Sequence, residues 1–206
     1  MAAGERTQQP ATERRGQILE AAGKVFAERG IHRARIDDIA AAAGVGKGTV
    51  YWYFPSKDEI VFALVDAFYA QAHSGLVALR DAPGTVADRL RDYLRSYASL
   101  LTEHRHLAPL ATEFYALAPR QQRVREFLER YYTRWTEAAA VLLEQGNQRG
   151  ELEITDTWPA ARTFVELFDG AFLVWTISPD AVDLDERMQT AFDILHRGLA
   201  VRPHDE

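Results

Sequence analysis

Apolar residues return every three or four positions along almost the whole chain, the period of helices packed against a core. The first stripe (Ile18, Ala21, Ala22, Val25 and Phe26) predicts a helix entered at Thr12 as N-cap and closed by Gly30. Residues 1–11, ending at Pro10-Ala11, are expected to form a disordered tail. A short helix over about 36–43 buries Ile36, Ile39 and Ala40 and sets Asp37 and Asp38 at the positive end of its dipole. Gly44 supplies the positive φ that a sharp turn needs, and a third short helix covers about 47–53. Two short helices joined by a glycine turn read as a helix-turn-helix, the unit that lays its second helix in the major groove of DNA.

Pro55 ends the third helix, and Ser56 with Glu59 forms a capping box for a fourth over about 57–79. After the turn at Asp81-Ala82-Pro83-Gly84, helices are expected over about 86–103, 107–117, 121–148, 157–177 and 183–199. The eighth is apolar on two sides: Phe164, Leu167, Phe168, Ala171 and Trp175 form one face, while Val165, Phe172 and Leu173 lie elsewhere on it. Such a helix needs two partners, the domain's own core and a second surface. No segment alternates as a strand would. The fold class is therefore all-α, with about nine helices. A three-helix DNA-binding head over 12–57 precedes a larger helical body over 58–206, the boundary lying within the fourth helix.

Charge sharpens this division. The whole chain carries a net charge of −6, unfavourable for a nucleic-acid ligand. Residues 6–57, however, hold nine Lys/Arg against five Asp/Glu, and residues 61–206 hold fifteen against twenty-two. A basic head on an acidic body suits local attraction to phosphates. Cysteine is absent, which excludes disulfides and thiolate metal sites. No apolar run approaches the roughly 20 residues of a bilayer span, and the polar N-terminus lacks a signal-peptide pattern, so a cytoplasmic protein without a membrane partner is expected.

Within the third helix, Val50 and Phe54 fall four apart and point to the core, leaving Lys47, Thr49, Tyr51 and Tyr53 outward. A short helix with exposed hydroxyls and a cation suits a groove lined with acceptors and phosphates. The stretch Gly44-Val45-Gly46-Lys47-Gly48-Thr49 also imitates the phosphate loop of adenylate-type nucleotide kinases. That loop must follow a strand and needs glycine at position 41, where this chain has alanine inside a helical run.

Residues 12–57 closely resemble the N-terminal domain of the tetracycline-repressor (TetR) family of transcriptional regulators. The matching pieces are VFAERG at the end of the first helix and DDIAAAAGVGKGTVYWYFPSKDEI beyond it. The resemblance implies a homodimer that reads a palindromic double-stranded operator and a body that releases DNA on binding a small-molecule effector, with no enzymatic activity and no cofactor. Carried over by position, Lys47 and Thr49 are expected to reach base edges, Tyr51 and Tyr53 to touch phosphate or thymine methyls, and Lys57 to anchor the DNA backbone. The chain departs from the family at Arg35, where threonine is usual, and at Gly46, where a small polar residue is usual. Arg35 cannot cap the second helix through a hydroxyl but can reach a phosphate as a cation.

The body is rich in aromatic residues, and an aromatic-lined cavity would suit a lipophilic or aromatic effector. Phe68, Tyr93, Tyr97, Phe114, Trp135 and Phe172 are candidate lining residues, with His106, Glu113 and Glu166 as polar orienters. Dense core packing is the plainer role for any one of the aromatics. For the dimer, the eighth and ninth helices offer Phe164, Leu167, Ala171, Trp175, Met188, Phe192 and Leu195. No metal site is expected: His104 and His106 are two apart and diverge on a helix, and Asp193 with His196 lacks the second Glu-x-x-His segment of a helical di-metal site.

Overall fold

The computed structural model describes residues 5–199, which form nine α-helices: α1 Glu5–Arg29, α2 Ile36–Ala42, α3 Lys47–Tyr53, α4 Lys57–Ala78, α5 Val86–Glu103, α6 Ala108–Leu117, α7 Gln122–Gln148, α8 Thr157–Ile177 and α9 Leu184–Leu199. Single 3₁₀ turns lie over Leu79–Asp81 and Arg105–Leu107. The described residues contain no strand.

The N-terminal expectation changes. Residues 1–4 lie outside the described residues, but residues 5–11 are the first turns of α1 rather than a tail, and Thr12 sits inside the helix instead of capping it. Glu5, Arg6, Gln8 and Gln9 are good helix formers, and α1 passes through Pro10 with the loss of one backbone hydrogen bond.

The chain divides into two compact units between Phe68 and Tyr69, inside α4 but eleven residues beyond Lys57. The reason is the apolar start of α4: Ile60, Val61 and Val65 are buried, and a Cβ on Gly23 of α1 would stand 3.8 Å from Leu64. The head core comprises Ile18, Ala22, Val25, Ile39, Val50, Phe54 and Ile60, all at most 5% exposed. Two glycines shape it: Gly30, at φ +73°, ends α1, and Gly44, at φ +64°, makes the turn between α2 and α3.

In the body, α7 packs on α8, α5 on α9, and α8 on α9. Thr85 caps α5 by accepting from the Asp88 N–H at 3.1 Å, and Asp156 caps α8 through the Trp158 N–H at 3.1 Å. Arg91 joins α5 to α9 by an ion pair with Asp193 at 3.1 Å, its guanidinium 5.1 Å from the Phe192 ring centre. One helical stretch, Lys57–Asp81, is long and apolar enough by length and composition to cross a membrane. This corrects the expectation that no apolar run approaches such a length; α4 buries Ile60, Val61 and Val65 in the head and Tyr69, Ala72 and Leu76 in the body.

Candidate nucleic-acid interface and effector site

Val50, completely buried, and Phe54, at 2% exposure, seat α3 on the head core. Gly46 is the N-cap of α3, with extended backbone and no side-chain cap. On the opposite side, Trp52 is 74% and Tyr51 45% exposed, while Thr49 and Tyr53 are half-buried. Trp52 is absent from the expected contacts, which follow hydroxyls and charge. Counted at 100° per residue, it lies opposite the Val50–Phe54 seam, at the middle of the solvent face. Its ring meets that of Tyr53 edge-on at 4.5 Å.

Lys47 is exposed and paired with Asp37 of α2 at 2.9 Å; this hydrogen bond, then the charge of Asp37, raises its pKa. Arg35 occupies the N-cap of α2 with its side chain exposed. The cap is made in reverse: the Asp38 carboxylate accepts from the Arg35 backbone N–H at 3.0 Å and is itself paired with Arg29 at 2.7 Å. Arg15 holds its guanidinium 4.9 Å from the Phe54 ring centre.

Lys57, expected to anchor the DNA backbone, makes its bonds in this structure within the head. Its ammonium donates to the carbonyls of Ile31 at 2.7 Å, Ala34 at 3.3 Å and His32 at 3.4 Å. All three bonds are directed at the loop between α1 and α2, so Lys57 holds that loop rather than presenting a free charge. The Gly44–Thr49 stretch follows α2, a helix, where a kinase phosphate loop would follow a strand.

In the body, three of the candidate lining residues come together. Tyr93, Tyr97 and Trp135 are buried with Tyr131, the ring centres of Tyr97 and Tyr131 lying 5.5 and 5.3 Å from that of Trp135. The Trp135 indole Nε1 is buried and has no hydrogen-bond partner. Phe114 packs edge-on against Phe127 at 5.4 Å, a ring contact that continues through Tyr69 to Tyr131, and Phe172 lies 6.0 Å from Trp175; both are buried core residues. Phe68 is half-buried on the head's side of the division, Glu113 is half-buried on α6, and His106 is exposed in its 3₁₀ turn.

Glu166 is exposed and paired with Arg162 at 2.9 Å, lining a cavity of about 540 Å³ between α7 and α8. One turn further on, Asp169 also lines that cavity and a narrow aromatic cleft behind it. It accepts from the Tyr115 hydroxyl at 3.4 Å, and Tyr115 in turn accepts from Tyr69 at 3.2 Å and Tyr132 at 3.4 Å. Burial pushes the Asp169 carboxyl up to about 6, against the opposing hydrogen bonds of Tyr132 and Tyr115. Burial also raises the phenols of Tyr69, Tyr115 and Tyr132, which remain protonated donors. Asp169 is not among the residues expected from the sequence, where Glu166 stands as the polar orienter of this helix; the available signal was a lone aspartate inside the apolar run FVELFDGAFLVW.

The expected dimer residues need correction. Phe164, Trp175, Met188 and Phe192 are buried within the single chain and cannot meet a second one, and Leu195 and Ala171 are half-buried. The large outward apolar positions of α8 and α9 are Trp158, Leu167, Leu173, Val174, Ile177 and Ile194, with Ile177 74% and Ile194 67% exposed. Both faces of α8 are apolar at the same period, and the more aromatic one was consumed by the core.

A glycine-turned pair of short helices with an exposed polar and aromatic reading face, joined to a helical body, defines a helix-turn-helix transcriptional regulator. Two family models cover most of the chain: bacterial regulatory proteins of the tetR family over residues 18–64, and the C-terminal region of BetI-type transcriptional repressors over residues 86–200. The chain is 31% identical to the transcriptional regulator TtgR of Pseudomonas putida over 217 residues, covering 96% of this chain and 98% of TtgR. Among solved structures, FadR of Bacillus subtilis with stearoyl-CoA superposes with a TM-score of 0.74 at 25% identity, covering 88% of this chain and 97% of FadR. SmeT of Stenotrophomonas maltophilia with triclosan gives 0.78 at 23% identity, covering 92% of each chain. The chain belongs to the tetR family of bacterial transcriptional regulators.

Proposed function

We propose that this chain is a ligand-responsive repressor that binds a palindromic operator as a homodimer and leaves it when a small lipophilic or aromatic molecule enters the body. The observation that carries the reading is the solvent face of α3, where Lys47, Thr49, Tyr51 and Trp52 stand clear of a helix seated by Val50 and Phe54. Lys47 and Thr49 reach base edges; Tyr51, Tyr53 and the exposed Arg35 serve the phosphates or thymine methyls. Trp52 adds an apolar surface at the centre of that face. Lys57 acts one step back, fixing the loop that leads into α2. Work on a chromosomal operator is done in the cytoplasm.

Effector binding shifts the body between states of different operator affinity. The relatives' solved complexes with triclosan and stearoyl-CoA support a body of this architecture as a holder of lipophilic molecules. In fluorescence anisotropy on an operator duplex, Lys47→Ala and Trp52→Ala each weaken binding about tenfold or more, the size of one lost specific contact. Unchanged affinity in both variants would overturn this orientation of the head.

The dimer uses the outward stripe of α8 and α9: Leu167, Gly170, Val174, Ile177 and Ile194. Four of these are exposed apolar residues, and Gly170 has open space around its missing Cβ, allowing two backbones to approach. Contiguous apolar surface of this kind is covered in a stable protein. Val174→Asp with Ile194→Asp therefore yields a monomer in light scattering at micromolar concentration; a dimer that persists would place the interface elsewhere.

A further inference from the structure

Asp169 carries a negative charge into a wall built of aromatic rings. No cation among the described residues contributes to its electrostatics; only phenols steady it. The cavity outside it is lined by Glu129, Glu166 and Asp169 against one cation, Arg162, which Glu166 already pairs. Behind it, the narrow cleft presents Tyr93, Tyr97, Tyr131 and Trp135. A carboxylate without a counter-ion is costly to bury, and aromatic faces attract cations at ring distances of about 6 Å or less.

We propose that the effector is an organic monocation with an aromatic or branched apolar body, its charge held between the Asp169 carboxylate and the rings of Tyr93, Tyr97, Tyr131 and Trp135. This rests on the ligand-responsive reading above and adds its chemical class. The outer cavity, at about 540 Å³, holds the apolar body, a volume within the ordinary range of small-molecule sites. The unpartnered Trp135 Nε1–H supplies a donor for an oxygen acceptor on the same molecule. Neutral lipophiles gain nothing from Asp169, and anions are repelled by it. The inner cleft encloses only about 10 Å³, so a cation entering it must move the rings apart. That movement gives the ligand different affinities for two states of the body, the requirement for a switch.

Charge also sets the pH response. The phenols of Tyr69, Tyr115 and Tyr132 stay protonated, Glu129, Glu166 and Arg162 line the outer cavity, and His73 lies 6.4 Å from Trp135 with burial opposing its protonation. Asp169 loses its proton near pH 6, so cation affinity rises between pH 5 and 7.5.

The test uses a phenylbutyl-trimethylammonium salt and its neutral carbon isostere, titrated calorimetrically into the full-length protein and into Asp169→Asn. The cation is expected to bind the wild type at least tenfold more tightly than the isostere, and to lose that preference and its pH slope in Asp169→Asn. Equal binding of the two probes by the wild type, an observation that needs no variant, overturns the proposal; so does a preference or slope that survives in a folded Asp169→Asn. Operator release is read in parallel with the cation, triclosan and stearoyl-CoA. Asp169-dependent binding of the cation without release by any compound supports the site and sinks the ligand-responsive reading. Release by triclosan or stearoyl-CoA, with no cation preference in the wild type, overturns the cation class and leaves that reading standing.

Discussion

Phe54→Ala abolishes operator binding while the body keeps its helices and the proposed dimer. Phe54 follows the last residue of α3, is 2% exposed, and carries the Arg15 guanidinium over its ring at 4.9 Å. Truncating such a phenylalanine costs about 3–5 kcal/mol. The head spans fewer than seventy residues, and domains of that size hold only a few kcal/mol in reserve. The loss is therefore comparable with the head's whole stability, and α3 keeps only Val50 as a seat. Circular dichroism should fall by the share of the head alone, and light scattering should still report two chains. Trp52→Ala, which weakens binding through a lost contact, is the matched control for folding alone: it removes an exposed ring and leaves the spectrum unchanged. Retained operator binding by Phe54→Ala would show that α3 is held by something other than this core.

The second large effect is expected at Arg89, a buried residue at 4% exposure that donates to carbonyl and amide oxygens. Its Nη1 donates to the carbonyls of Leu79 at 2.6 Å and Arg80 at 3.2 Å and to Gln145 Oε1 at 3.3 Å, while Nε donates to the Thr85 carbonyl at 3.3 Å. These carbonyls belong to the turn between α4 and α5. Arg89→Met keeps the apolar volume and strips the turn of its donors. Hydrogen bonds to a charged donor contribute roughly 1.5–3 kcal/mol each, so a loss of about 3 kcal/mol is expected, or about 6–12 °C in Tm for a chain of this size. Nη2, buried without a partner, offsets part of the gain, which keeps the figure below the sum of the bonds. A change under 2 °C would mean that water satisfies the turn as well as arginine does.

Asp169→Asn should move stability in the opposite direction. A carboxyl whose pKa is raised on folding binds its proton more tightly in the native chain, so folding is disfavoured as pH rises from about 4 to about 6 and stays disfavoured above it. The asparagine variant should therefore gain Tm over the wild type at pH 7.5 and show little gain at pH 4, in thermal scans at the two pH values. A residue kept at such a cost is characteristic of a functional site.

The helix bounds were legible because three local signals agreed along the chain: period, caps and breaking glycines. The start of α5 follows from the turn at Asp81-Ala82-Pro83-Gly84 and the end of α3 from Pro55, whereas Thr85 and Asp156 emerge as caps only in the structure. The start of α1 was not, since Pro10 reads as a boundary and the helix runs through it. Choosing between the two apolar faces of α8 also lay beyond local pattern: Phe164 and Leu167 have equal claims by period, and only the packing of α7 and α9 decides that the first is core and the second surface. Lys57 shows the same limit. Its place at a helix start was plain, but its carbonyl partners lie 23 to 26 residues earlier and belong to a loop with no pattern of its own.

That bond has a consequence for how the head assembles. Lys57 closes a ring whose chain path runs through the whole of α2, the Gly44 turn and α3. The ammonium cannot find the Ile31 carbonyl until every intervening element has taken its place, because loop closure is repaid only at the end. It behaves as a latch that shuts last. Interactions absent from the transition state act on unfolding rather than folding, so this lysine sets how long a formed reading head lasts, not how fast it forms.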